Sequence, residues 1–195
     1  MGKIGEPITS SCGVAVQPWE NLDEPERFDY IVVVGGLLHG GQKVPARLNK
    51  FLQKAVDKNI PLVGLCTGSF VLARFGFLDG YATCVSWFHR EDFQAEFPQL
   101  KVVSNRLYII DRDRLTCAGG TSVVHLAARL VARHCGEAQS EKSLRIMMED
   151  HPLPGSAPQP EQVITRAARD PVVKHAMLLI EQNLSGSNSL QTLSD

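Results

Sequence analysis

Residues 64–68 read Gly64-Leu65-Cys66-Thr67-Gly68, a cysteine held between two glycines. Cysteine is the side chain best suited to direct nucleophilic attack, once something draws off its proton. The run Pro61-Leu62-Val63-Gly64-Leu65 precedes it, and Thr67 to Phe75 carries a helical pattern after it. The spacing predicts a buried strand, a tight turn holding the thiol, and a helix. This is the nucleophile-elbow arrangement with Cys in place of Ser. The glycines let the backbone turn and leave room around Cys66. The positive end of the following helix favours thiolate, and its amides can receive an anion or a developing oxyanion. The competing reading is a structural Cys buried on a tight turn.

A working thiol also needs a base. The histidines are His39, His89, His125, His134, His151 and His175. His89 opens the next helical stretch after the elbow. His39 follows Gly35-Gly36 at the C-terminal end of a strand, the edge where α/β sites form. His125 lies in the helix after Gly119-Gly120. Spacing does not identify the carboxylate that would orient any of them. The five cysteines, Cys12, Cys66, Cys84, Cys117 and Cys135, are odd in number and include no CxxC pair. That excludes a disulfide framework or structural zinc as the organising device and fits reduced thiols in a cytoplasm. Most of the five are expected to be small buried hydrophobes. No metal and no cofactor is expected.

The elements that must position these groups alternate short apolar runs with helical stretches, the mark of a parallel sheet with crossover helices. Asp29 to Val34 is a β-branched run suited to a buried central strand. Pro45 to Lys58 reads as an amphipathic helix, with Leu48, Phe51, Leu52, Ala55 and Val56 on one face. Gly76 suits the residue after the elbow helix. Ala82 to Val85 reads as a strand and Phe88 to Phe97 as a helix. Val102-Val103, Leu107 to Ile110 and Leu115 to Cys117 read as strands around the polar turn Asp111 to Arg114. Ser122 to Cys135 is a helix apolar on most sides, and Glu137 to Met148 another.

At 195 residues and 21.4 kDa, with 44% hydrophobic residues, the chain can build one α/β core plus a short attachment. A formal net charge of −1 argues against a strongly basic nucleic-acid module. No apolar run reaches the roughly 18 residues of a membrane span, and no signal-peptide core opens the chain. Residues 151–160 hold four prolines, which makes them a linker or an ordered surface wrap. Asp170-Pro171 is an N-cap and N1 pair that opens a helix through Leu184, and Leu190 and Leu193 belong to a second. The expected organisation is 1–150, a Pro-rich linker over 151–169, and a helical segment over 170–195.

Taken together, these residues resemble a known family. Tyr30 to Gly36, followed by Gly64 to Ala73, is similar to the PfpI-type branch of the class I glutamine amidotransferase-like superfamily. Gly76-Phe77-Leu78-Asp79-Gly80-Tyr81-Ala82-Thr83 resembles one subgroup, the sensor domain of AraC-type transcriptional regulators that answer to arginine, carnitine or betaine. Phe97-Pro98, Asp113 and Leu115 to Gly120 continue the match, over about residues 10–148. Residues 170–195 resemble the opening of an AraC-type helix-turn-helix domain, without its recognition helix. The resemblance implies a flavodoxin-like three-layer α/β sandwich with a mainly parallel sheet.

Three departures bear on chemistry. Ser86 stands before Trp87 where the family carries its catalytic His. His125 stands where an acidic residue is common. The family's first strand and helix, with the Glu that meets the elbow Cys, have no counterpart, so the chain looks truncated at both ends. A sheet without that strand would expose an edge that favours a homodimer. The resemblance therefore implies a catalytically inactive ligand sensor in the cytoplasm, with Cys66 as a vestigial nucleophile. Its effector would be an amino acid or quaternary amine, held by Gly35, Gly36, Cys66, Thr67, Ser86, Trp87 and His89. Promoter DNA would be bound by the complete C-terminal domain and not by these residues. Residues 160–195 place Arg166, Arg169 and Lys174 against Glu161, Asp170, Glu181 and Asp195, a poor set for phosphate contacts. The alternative is a Cys66-dependent hydrolase or amidotransferase with His89 as a displaced base. A redox-sensing Cys66 thiol is a third reading.

Overall fold

The structure, a computed structural model, describes residues 6–10, 12–38, 44–160, 170, 172, 173 and 177. The chain divides into two compact units, Met1–Gln159 and Pro160–Asp195. The helices expected over 170–195 lie almost wholly outside the described residues.

In the first unit, β1 (Ile8–Thr9) and β2 (Ala15–Val16) form a small antiparallel hairpin, which the sequence pattern did not announce. The principal sheet contains β3 (Ile31–Val34), β4 (Leu62–Leu65), β7 (Tyr108–Asp111) and β8 (Arg114–Cys117), in the order β3-β4-β8-β7. β3, β4 and β8 run parallel, and β7 returns antiparallel to β8 through a tight turn. β5 (Ala82–Cys84) and β6 (Lys101–Val103) make a separate parallel pair. The helices are α1 (Ala46–Asp57), α2 (Gly68–Arg74), α3 (Arg90–Glu96), α4 (Ser122–Cys135) and α5 (Glu137–Ile146).

Successive strand residues point to opposite faces, so each strand serves two cores. Leu62 joins Ile31, Val33, Leu52 and Phe70 on the face covered by α1, α2 and α3. Val63 joins Leu115 and Leu126 on the face covered by α4. α5 packs outside α4, where the buried Ser140 hydroxyl donates to the Ala128 carbonyl at 2.8 Å. This is the three-layer, flavodoxin-like α/β fold.

Termination follows local chemistry. The amides of Gly76 and Phe77 donate to the carbonyls of Ala73 and Leu72, and Gly76 takes φ +76° to close α2. The helix expected over 88–97 begins later than its apolar pattern suggests. The Ser86 hydroxyl accepts the Phe88 amide and winds residues 87–89 into a 3-10 turn before α3 starts.

β3 lies at the sheet edge and has no strand on its outer side among the described residues. Val32 and Val34, on one face of that strand, are 47% and 72% exposed. No described helix is long and apolar enough to cross a membrane.

Residues 152–159, within the proline-rich run, lie on the rest of the first unit as a strap. The Leu107 amide donates to the carbonyls of Gly155 and Ala157, at 3.2 and 3.0 Å. The Leu153 amide donates to His125 Nδ1 at 3.3 Å.

Candidate functional site

Three strand ends converge on the elbow. β4 delivers Cys66, which takes φ +56°, a left-handed conformation that costs a residue with a Cβ on the order of 1–3 kcal/mol. Packing holds it there. The end of β3 approaches so closely that a Cβ on Gly35 would overlap Thr67, and one on Gly68 would overlap the Val33 carbonyl. The Thr67 hydroxyl donates to the Gly36 carbonyl at 2.7 Å, and the Gly35 amide donates to the Leu65 carbonyl at 3.2 Å. The β8 end closes the third side. A Cβ on Gly119 would lie 2.7 Å from both the Cβ and the Sγ of Cys66. Below the turn, the Ser69 hydroxyl donates to the Cys66 carbonyl at 2.9 Å.

Cys66 is exposed, while Cys117 and Cys84 are buried. Burial raises the Cys117 thiol, against the pull of the Cys66 and Gly119 amides. Burial, with Cys117 nearby, pushes Cys84 up to about 12. Both therefore remain protonated, and Cys84 donates to the Arg106 carbonyl at 3.1 Å. The expectation that most cysteines are buried does not hold, because Cys12 and Cys135 are exposed as well.

The expected ligand set falls into two groups. Gly35, Gly36, Cys66 and Thr67 form the elbow. Ser86, Trp87 and His89 form the turn after β5. Ser86 caps that turn, as described above. Trp87 packs edge-on against Phe88 at 5.5 Å. His89 Nδ1 lies 3.1 Å from an Asp92 carboxylate oxygen, and its ring meets those of Phe70 and Phe88 at 6.1 and 4.9 Å. No hydrogen bond or ion pair joins any histidine to Cys66 among the described residues. His39 lies outside the described residues. His125 is buried and accepts the Leu153 amide through Nδ1, which places its proton on Nε2.

Two participants escaped the sequence reading. Asp92 is the carboxylate behind His89, one helical turn on, and an i,i+3 search would have found it. Gln159 has no local signal. Its Oε1 accepts the Trp87 amide at 2.8 Å, and its Nε2 donates to the carbonyls of Val85 and Arg106 at 2.9 and 2.7 Å. A cavity of about 520 Å³ lies elsewhere, lined by Tyr108, Arg129, Leu153 and Gly155 among others, and includes no elbow residue.

A cysteine elbow at the C-terminal edge of a flavodoxin-like sheet defines the class: an amidotransferase-like α/β domain. Residues 1–133 match the DJ-1/PfpI family, and the chain belongs to that family. It is 35% identical over 137 residues to the HTH-type transcriptional regulator GbdR of Pseudomonas aeruginosa, a match covering 70% of this chain and 36% of the relative. It is 36% identical over 132 residues to the HTH-type transcriptional regulator CdhR of the same species, covering 68% and 39%. The crystal structure of an AraC family transcriptional regulator from Pseudomonas putida aligns with a TM-score of 0.62 at 26% identity, over 72% of this chain and 75% of that one. The chain thus spans less than two fifths of the length of the two curated regulators.

Proposed function

We propose that this chain is the effector-sensing portion of an AraC-family transcriptional regulator, and that its elbow binds a ligand without transforming it. The observation that carries this reading is at Ser86. The side chain in the family's His position caps a 3-10 turn, and no imidazole is hydrogen-bonded to Cys66 among the described residues. A thiol without a base is a poor acyl-transfer catalyst, whereas the elbow retains its backbone amides and the turn after β5 carries an aromatic pair. An amino acid or quaternary amine suits that combination. Its carboxylate would meet the elbow backbone, and its cationic end the faces of Trp87 and Phe88. Similarity to two curated HTH-type regulators and to an AraC-family structure supports the assignment. Promoter DNA is assigned to a complete helix-turn-helix domain, a second copy to the exposed β3 edge, and the cytoplasm to the whole.

Thermal unfolding of the 195-residue chain with L-arginine, L-carnitine and glycine betaine tests the pocket. A ligand at 100 times its Kd adds about 2.7 kcal/mol to native stability, so a melting shift of several degrees is expected for one of them. No shift with any would overturn the effector class. The second reading, a Cys66-dependent enzyme, draws on the exposed thiol and on the His89–Asp92 pair. Turnover of model amides or glyoxals that Cys66→Ala abolishes would establish it in place of the sensor.

A further inference from the structure

The departures from the family pattern at 86 and 125 share a neighbour. The strap that lies against His125 also ends in Gln159, against Trp87. Between these points it is fastened to Leu107, and Leu107 is one hydrogen bond from the elbow's third wall. Its carbonyl accepts the Ala118 amide at 3.0 Å, and the next residue, Gly119, is the one on which Cys66 Sγ rests. The strap therefore holds three separate places: the β8 end beside Cys66 through Leu107, the first turn of α4 through His125, and the 85–87 turn through Gln159.

Each attachment is specific. The Gln159 carboxamide has one acceptor and two donor hydrogens, and its three contacts are one N–H and two carbonyls, so its orientation is fixed by chemistry. Cys84 donates to the same Arg106 carbonyl. Gly155 lies so close to β7 that a Cβ would sit 2.7 Å from the Tyr108 carbonyl oxygen and 2.8 Å from its ring. Between its attachments the strap holds Pro152, Pro154 and Pro158 and closes a turn of its own, in which the Ala157 amide donates to the Pro154 carbonyl at 2.9 Å. Gln159 is also the last residue of the first unit, and Pro160 opens the second.

We propose that Gln159 is a positioning residue of the elbow site, and that the strap couples the 85–87 turn and Leu107 to the state of Cys66. What the coupling serves rests on the sensor reading; the coupling itself does not require an effector. Reciprocity follows from linkage: whatever the strap does to the elbow, a change at the elbow must do to the strap.

The test uses the full chain with Cys12→Ser and Cys135→Ser, so that Cys66 is the one exposed thiol. Amide exchange at Trp87 and Leu107 is followed by NMR, and Cys66 alkylation by iodoacetamide is timed by mass spectrometry. Gln159→Leu is expected to speed exchange at Trp87 about tenfold, and Gly155→Ala to do the same at Leu107. Each should change the alkylation rate of Cys66 about threefold or more. Conversely, carboxamidomethylation of Cys66 should speed exchange at both amides. Unchanged exchange in the variants would show that the strap does not hold these groups. Freed amides with an unchanged alkylation rate would show that it holds them without coupling. Either result overturns the proposal. A thermal-shift panel without a hit, alongside altered alkylation, would remove the effector class and leave the strap standing.

Discussion

At the scale of single residues, the elbow is a conformation imposed on a side chain that does not prefer it. Cys66 sits at φ +56° because the ends of β3 and β8 close around it, and glycine is the residue that occupies such a conformation without steric cost. Cys66→Gly is therefore expected to unfold at a higher denaturant concentration than Cys66→Ala, by about 1 kcal/mol. Both lack the thiol, so the comparison isolates backbone strain. Equal stabilities would mean that the turn relaxes when the thiol is removed. The Gly-Leu-Cys-Thr-Gly string made the turn legible, since tight turns leave glycine behind them. It did not reveal Gly119, whose contact with the sulfur is made across strands. Nor does residue type set the burial of cysteines. Cys84 and Cys117 end β5 and β8 and are buried, whereas Cys135 ends α4 on the surface.

At the scale of elements, the β7–β8 hairpin is locked to the loop before β5 by a charged cluster. Tyr81 donates to Asp113 at 2.9 Å, Arg114 meets the other Asp113 oxygen at 2.7 Å, and Asp111 accepts the Ala82 amide at 2.8 Å. Burial alone would raise the Asp113 carboxyl, but the Tyr81 hydroxyl and the Arg114 guanidinium outweigh it and hold the group below its usual 3.8. A carboxyl depressed in the folded state contributes stability above its unfolded value and loses it as pH falls through the folded one. Asp113→Asn should therefore melt below the parent at pH 6, with the gap closing below about pH 3.8. A gap constant down to pH 2.5 would assign the difference to hydrogen bonding alone. The hairpin was visible in the sequence as two apolar runs around a polar turn. The partnership with Tyr81 was not, because it joins positions 32 residues apart. The strands and helices were read to within a few residues wherever the apolar pattern was strong, as over Ser122–Cys135.

At the scale of the whole molecule, the principal sheet has one finished edge and one that is bare among the described residues. β7 carries the strap beside it, while β3 presents Val32 and Val34 to solvent. An apolar, uncharged edge of this kind invites pairing with another strand. Sedimentation of the chain is expected to show a concentration-dependent dimer that Val34→Lys shifts to monomer; a parent chain that stays monomeric at high concentration would assign that edge to another partner. The four prolines announced a linker or an ordered surface wrap, but proline content specifies what a segment cannot donate and says nothing of the surface it lies on. The strap has a consequence for synthesis. Residues 152–159 are made after every strand and helix described in the first unit, so the Trp87 amide and the Val85 carbonyl wait for Gln159 as the last of these partners to be synthesised.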